Sequence, residues 1–147
     1  MASRVTKSIT VERPIEEVFA ALTNVENTGR WFPARVKEWW TSAPPHGVGS
    51  TRHAEVWMGP IRTENDAVAT YYEPPHRATM KGTSSNAPFE TTLTFERRED
   101  GTLVEATTDL FLGGLAKPIE VLFARWYGRS WERGLLKFKA LMESGAL

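Results

Sequence analysis

The sequence predicts an α+β fold in which a seven-stranded antiparallel sheet wraps around one long C-terminal helix. Residues near the start of the chain alternate between apolar and polar types, turn residues divide the middle of the chain into short β-rich segments, and apolar residues near the end recur at helical spacing. A run of strands followed by one long helix is typical of folds in which the helices are segregated from an antiparallel sheet.

The first strand is predicted over residues 5–12, where the side chains alternate with the period of two expected of a half-buried strand. Pro14 then stands where the first turn of a helix accepts proline, and apolar residues follow at helical spacing. A second short helix is predicted over residues 24–31, with Asn24 as its N-cap. Two short helices are therefore expected between strands 1 and 2.

Six further strands are predicted between residues 34 and 112, because five groups of turn residues interrupt this region. The clearest turn is Asp100-Gly101, which lies between two segments rich in β-formers and predicts a hairpin. Strands in such close succession predict an antiparallel meander.

The last helix is predicted to begin at Pro118, and its large apolar residues cover more than half of its circumference. This width indicates that the helix is enclosed on more than one side. Ser130 and Gly134 interrupt the apolar stripe with small side chains. They indicate either a close approach of a neighbouring element, which is the more common reason, or space for a ligand.

Length and composition exclude several classes of function. The 147 residues predict a single domain, 1–147, and the absence of Cys excludes disulfides, thiol chemistry and Cys-based metal sites. The 18 basic and 18 acidic side chains leave no net charge to attract nucleic acid. Neither a secretory leader nor an apolar run long enough for stable membrane insertion is visible, so we expect a cytoplasmic protein.

Four segments of the chain resemble a known family when they are taken in order. They are residues 9–22, the Trp-Phe-Pro sequence at 31–33, the Gly-x-Gly-x-x-Arg sequence at 47–52, and residues 72–77. Together they resemble the polyketide cyclase/dehydrase and lipid-transport family of the START-related superfamily (SRPBCC, birch-pollen-allergen-like). The resemblance implies a helix-grip fold with a hydrophobic cavity between the sheet and the last helix, no general cofactor and no shared catalytic motif.

The strand over residues 51–58 can face either way. Alternation alone places its even-numbered residues inside. The resemblance implies instead that His53, Glu55 and Trp57 point inward. In that orientation His53 and Glu55 are candidate catalytic residues, because burial raises the pKa of a carboxyl group towards the pH at which an acid/base pair works. In the other orientation both are solvated.

The candidate ligand-binding residues are apolar, aromatic or hydrogen-bonding side chains on the strands and the last helix. They are Trp57, Thr63, Asn65, Tyr71, Met80, Phe89, Leu93, Phe95, Trp126 and Ser130. Arg52 could anchor a carbonyl or hydroxyl group, although a surface salt bridge is the more common role of such a residue.

Two other groups of residues are interpreted conservatively. The three histidines lack the spacing of metal ligands, so no metal site is predicted. Arg125, Arg129 and Arg133 lie on the polar side of the last helix, where Glu132 and Glu143 balance them, and are interpreted as a solvated face.

The sequence therefore predicts a protein that binds a small hydrophobic or aromatic molecule, such as a lipid or a polyketide-like compound, without a cofactor. Two alternatives stay open. One is a cyclase or dehydratase that uses His53 and Glu55, and the other is a protein-interaction module similar to chaperone activators, which a collapsed cavity and an apolar outer patch would favour. Whether the chain is an enzyme, and whether it forms a homodimer, is left open.

Overall fold

The computed structural model describes residues 3–83, 88–111 and 117–147. Along these residues the elements are β1 (Ser3–Val11), α1 (Ile15–Thr23), a 3₁₀ turn (Val25–Asn27), α2 (Thr28–Trp31), β2 (Arg35–Trp40), β3 (Thr51–Met58), β4 (Ile61–Glu73), β5 (Arg77–Gly82), β6 (Phe89–Arg98), β7 (Gly101–Leu110) and α3 (Lys117–Glu143). The strands form one antiparallel sheet in the order β1-β7-β6-β5-β4-β3-β2. The predicted helix-grip architecture is confirmed.

The short helices begin where the local sequence predicts. Pro14 immediately precedes α1, and two acidic residues in the first turn suit the positive end of the helix dipole. Asn24 caps the following 3₁₀ turn by accepting a hydrogen bond from the Glu26 backbone N–H at 3.2 Å. These helices connect β1 and β2, which are the two edge strands of the sheet.

The predicted hairpin joins β6 and β7, with Glu99 and Asp100 in the turn and Gly101 as the first residue of β7. Arg98 pairs with Gly101, so two residues connect the strands. A Cβ atom on Gly101 would lie 2.1 Å from the Val11 carbonyl oxygen, and the φ angle of 155° is one that side chains disfavour. Glycine is therefore required for this turn to lie against the end of β1.

The long helix α3 lies across the inner face of the sheet, and its two halves have different surroundings. In the C-terminal half, Leu135, Phe138 and Met142 are buried in a core with residues of β1, α1, β6 and β7. In the N-terminal half, aromatic residues line a cavity instead. No helix among the described residues combines the length and the hydropathy needed to span a bilayer.

Gly134 permits the close contact between α3 and α2. A Cβ atom at this position would lie 3.1 Å from Cε3 and Cζ3 of Trp31. The small residue thus serves the close approach of a neighbouring helix, which was the more common of the two reasons considered for it.

Replacing Gly134 by Leu should lower the free energy of unfolding by about 1–3 kcal/mol, because the larger side chain must displace the Trp31 ring. Urea denaturation measures this change. Ala140→Leu, on the exposed side of the same helix, is the matched control and should leave stability nearly unchanged. Equal stability of the two variants would show that α2 and α3 do not pack closely at Gly134.

Candidate ligand-binding site

A cavity of about 630 Å³ lies between the inner face of the sheet and the N-terminal half of α3. Small or β-branched residues on the sheet, such as Ala54, Val56 and Ala69, form one wall. Bulky residues on the helical side prevent the two walls from closing onto each other. This volume is of the size that proteins use to enclose small organic molecules.

Aromatic residues form much of the helical side of the cavity, where Leu22, Thr23, Val25 and Thr28 also contribute. The rings belong to Trp31, Phe32, Phe123, Trp126, Tyr127 and Trp131. They contact one another: the centroids of Trp31 and Trp131 are 5.4 Å apart, and those of Phe123 and Trp126 are 5.7 Å apart. Stacked and edge-on rings of this kind hold one another in place, so the wall presents a fixed apolar surface.

A buried ion pair interrupts the apolar lining on the sheet side. Arg52 Nε lies 2.8 Å from Glu38 Oε2, and only 8% and 10% of the respective side chains are exposed. Arg52 Nη1 also donates to the side chain and the backbone carbonyl of Asn65. The guanidinium lies over the Phe89 ring, 5.4 Å from its centroid. Arg52 therefore lies in the cavity wall, and the interpretation as a surface salt bridge is wrong.

Glu38 is held in an unusual electrostatic environment. Burial raises the pKa of its carboxyl group, because the charged form loses its hydration. The positive charge of Arg52 and a hydrogen bond from the Thr28 hydroxyl favour the charged form and oppose this shift. Glu38 thus retains a proton at a higher pH than a solvated glutamate would.

Of the two orientations considered for β3, the one implied by the resemblance, with His53, Glu55 and Trp57 inward, is wrong. The cavity is lined by Arg52, Ala54 and Val56 from β3, so the alternate residues of this strand occupy the outer face. His53 and Glu55 therefore do not form an acid/base pair in the cavity.

Ionic contacts explain why the outer residues of β3 are stable there. His53 Nδ1 lies 2.7 Å from Asp66 Oδ1, and Glu55 Oε1 lies 2.8 Å from Arg62 Nη2. Trp57 lies beneath two guanidinium groups: the Cζ atoms of Arg35 and Arg62 are 4.5 and 5.7 Å from its ring centroid. The Trp57 ring is thus covered by charged groups on the outer face.

Tyr71 also lies on the outer face, for a different reason. Ala69 pairs with Met80 and Tyr71 pairs with Thr79, so β4 contains one extra residue at this point. Such a bulge reverses the alternation. As a result Tyr72, rather than Tyr71, lines the cavity.

The other predicted ligand-binding residues divide into two groups. Those that line the cavity are Thr63, Asn65, Met80, Phe89, Leu93 and Trp126. Phe95 is buried in the core, 5.0 Å from Phe19 between ring centroids, and Ser130 is buried on α3 outside the cavity lining. Glu38, which sequence reasoning missed, joins the cavity residues.

His53, Glu55 and Glu64 bring donor atoms within 4.8 Å of one another on the outer face. Arg62 lies 2.8 Å from Glu55 and 2.5 Å from Glu64, so an arginine already compensates both carboxylates. In the described structure this cluster is a network of ion pairs.

The contact between His53 and Asp66 should make the stability of the fold depend on pH. The hydrogen bond to Asp66 raises the pKa of His53, with smaller contributions from the Asp66 and Glu64 charges. Because protonated His53 binds Asp66, the contact stabilises the fold fully below about pH 6.5, and this stabilisation is lost as the pH rises through the folded-state pKa.

Asp66→Asn should therefore lower the free energy of unfolding more at pH 6 than at pH 9, as measured by urea denaturation. Asp109→Asn is the control, because its partner Arg4 does not titrate in this range; an equal pH dependence in both variants would contradict the assignment.

The sheet curled around α3 and the cavity between them define a helix-grip protein with an internal cavity. Residues 2–143 match the model of one family, described as polyketide cyclase/dehydrase and lipid transport. The chain belongs to this family, as the sequence motifs indicated. No functionally curated protein matches the chain in sequence.

Solved structures share the fold of the chain. The chain is similar to TTHA0849 from Thermus thermophilus, with 12% identity, a TM-score of 0.82, and coverage of 99% of this chain and 100% of that one. It is also similar to the di-domain ARO/CYC StfQ of the steffimycin biosynthetic pathway, with 12% identity, a TM-score of 0.78, and coverage of 99% of this chain and 52% of that one. The Aha1 dimer from Colwellia psychrerythraea has 17% identity, a TM-score of 0.68 and 95% coverage of both chains. At these identities the similarity establishes the fold.

Proposed function

We propose that the chain binds a small hydrophobic or aromatic molecule that carries a hydrogen-bond-accepting oxygen. The observation that supports this proposal most directly is the cavity of about 630 Å³, apolar over most of its surface and interrupted by the buried Glu38–Arg52 pair. A ligand that buries about 250 Å² of apolar surface there would gain roughly 6 kcal/mol before the costs of ordering.

Arg52 supplies the selective contact of the proposed site. A guanidinium group carries five N–H donors. Glu38 lies beside Nε and Asn65 accepts from Nη1. A carbonyl or hydroxyl oxygen of the ligand would accept from Nη2, and hydrogen bonds to charged donors are stronger than those between neutral groups.

The proposal is tested with two probes of similar shape, 2-acetylnaphthalene and 2-isopropylnaphthalene. The ketone should bind at least about ten-fold more tightly after correction for its smaller hydrophobicity, because only it can accept from Arg52. Intrinsic tryptophan fluorescence measures both affinities. Equal corrected affinities would contradict the polar contact, and failure of both probes to bind would contradict the cavity site.

A cyclase or dehydratase is the second candidate function, and Glu38 is the observation that favours it. Its carboxyl group lies in the cavity wall and its pKa is raised, so it suits proton transfer to or from a bound substrate. This replaces His53 and Glu55 as the proposed acid/base group. Glu38→Gln should abolish turnover of a poly-β-ketone substrate analogue while the acetylnaphthalene probe still binds. A chaperone-activator role is less favoured, since the open cavity does not meet the expectation of a collapsed one.

A further inference from the structure

The exposed side of α3 carries four basic residues in one row. Arg125, Arg129, Arg133 and Lys137 follow one another at intervals of four residues, and all four are exposed. Steps of four residues advance by about 40° around a helix, so the side chains form an inclined row about 18 Å long that turns by about 120° from its first member to its last. This is the largest concentration of like charge on one face of any described helix.

The acidic residues expected to balance this row are paired elsewhere. Glu132 lies 3.4 Å from Lys7 of β1, and Glu143 lies 2.6 Å from Lys139. Among the described residues, no carboxylate lies within ion-pair distance of any member of the row. The row is solvent-exposed, as predicted, but Glu132 and Glu143 do not pair with it, so it is a local positive patch on a chain of zero net charge.

Exposed leucines lie on the same face as the basic row. Leu122 is 67% exposed and Leu136 is 57% exposed, and neighbouring Val121 is 54% exposed. A helix face that combines basic side chains with protruding aliphatic ones suits a lipid–water interface, where the cations meet headgroups and the leucines reach the acyl boundary. An acidic protein surface would match the charges but not require the leucines.

The position of the row relative to the cavity is also informative. Phe123, Trp126 and Tyr127 line the cavity from the same part of α3 that carries Leu122 and Arg125. A surface that contacts the row would therefore lie next to the cavity wall.

We propose that the row Arg125–Arg129–Arg133–Lys137, with its flanking leucines, docks the protein on the surface of an anionic lipid bilayer. This docking does not depend on the proposed ligand-binding function, because the row side chains are exposed and the cavity contacts belong to other residues of α3. It is peripheral and electrostatic, so salt should reverse it.

Co-sedimentation with vesicles of phosphatidylcholine, with and without phosphatidylglycerol, tests the proposal. The wild type should bind only the vesicles that contain phosphatidylglycerol, and about 1 M salt should release it. Arg129→Glu with Arg133→Glu should weaken binding at least about thirty-fold. The neutral pair Arg129→Gln with Arg133→Gln should give a smaller loss, and Leu122→Ser should weaken binding several-fold.

A matched control reverses two charges on the outer face of β5. Arg77→Glu with Lys81→Glu changes the net charge by the same amount but lies on the sheet face away from α3. This variant should bind vesicles like the wild type, and the row variants should retain probe binding in the cavity. Equal loss in the control and row variants, or no vesicle binding by the wild type, would overturn the proposal. Row-dependent binding to polyglutamate but not to vesicles would also overturn it, in favour of an acidic protein partner.

Discussion

Replacing Arg52 by Met should lower the free energy of unfolding by about 3–5 kcal/mol at neutral pH. The substitution leaves the Glu38 carboxylate buried without its counter-ion, and an uncompensated buried charge is costly. Part of the loss should be relieved at acidic pH, since Glu38 can then accept a proton. Urea denaturation at two pH values measures both effects.

The matched control for this substitution is Arg62→Met. Arg62 also pairs with glutamates, but its side chain is 45% exposed, so its removal should cost under about 1 kcal/mol. The double variant Glu38→Gln with Arg52→Met should recover much of the stability lost by Arg52→Met alone, because neither position then carries a buried charge. If Arg52→Met and Arg62→Met were equally stable, the buried pair in the cavity wall would be contradicted.

Arg52→Met should also change which ligands the protein accepts. The variant should bind 2-isopropylnaphthalene about as well as the wild type, while its preference for 2-acetylnaphthalene should disappear. Loss of both affinities together would instead indicate that the cavity had collapsed.

Filling the cavity should abolish ligand binding while the protein stays folded. Val56 lines the cavity from β3 and is only half-buried, so Val56→Trp directs an indole ring into space that a ligand would occupy. We expect probe affinity to fall at least about ten-fold, because the lost volume removes much of the apolar contact area. The free energy of unfolding should fall by less than the roughly 1–3 kcal/mol that the insertion of extra atoms into a well-packed core costs, since the ring enters a cavity.

Val68→Trp provides the control for this substitution. Val68 pairs with Thr51 and Lys81 on the outer face of the sheet, so the same ring is added outside the cavity. This variant should bind probes with wild-type affinity. Equal probe affinity in the two variants would place the ligand somewhere other than the cavity between the sheet and α3.

The fold was predictable because its signals are local. Turn residues such as Asp100-Gly101, the proline before α1 and the wide apolar stripe of α3 each report on a few neighbouring residues. Their order along the chain then restricts the topology, since successive antiparallel strands pair with one another. The family motifs added the prediction of a cavity, which the structure contains.

The cavity residues were harder to predict because side-chain orientation depends on register. For β3, simple alternation gave the observed orientation, whereas the family resemblance suggested the opposite one. For β4, alternation failed after Ala69, because the bulge there is not visible in the sequence. Because of this extra residue, Tyr72 and not Tyr71 lies in the cavity wall.

Glu38 was missed for a related reason. Glu38 lies between Lys37 and Trp39 in the sequence, and a glutamate in such a strand is expected to be solvated, since isolated carboxylates are rarely buried. Its burial is possible because Arg52 lies beside it on the neighbouring strand. Val36, Glu38 and Trp40 share one face of β2, and this alternation could have indicated the burial of Glu38 once the orientation of β3 was known.

Titration of the protein with the neutral fluorescent probe N-phenyl-1-naphthylamine tests the central claim most directly. The cavity should give saturable binding of one probe per chain, with strong fluorescence enhancement and energy transfer from the tryptophans that line it. The probe should be displaced by 2-acetylnaphthalene and should bind weakly to Val56→Trp but normally to Val68→Trp. Binding that does not saturate, or that is the same in these two variants, would contradict an internal site for a small apolar molecule.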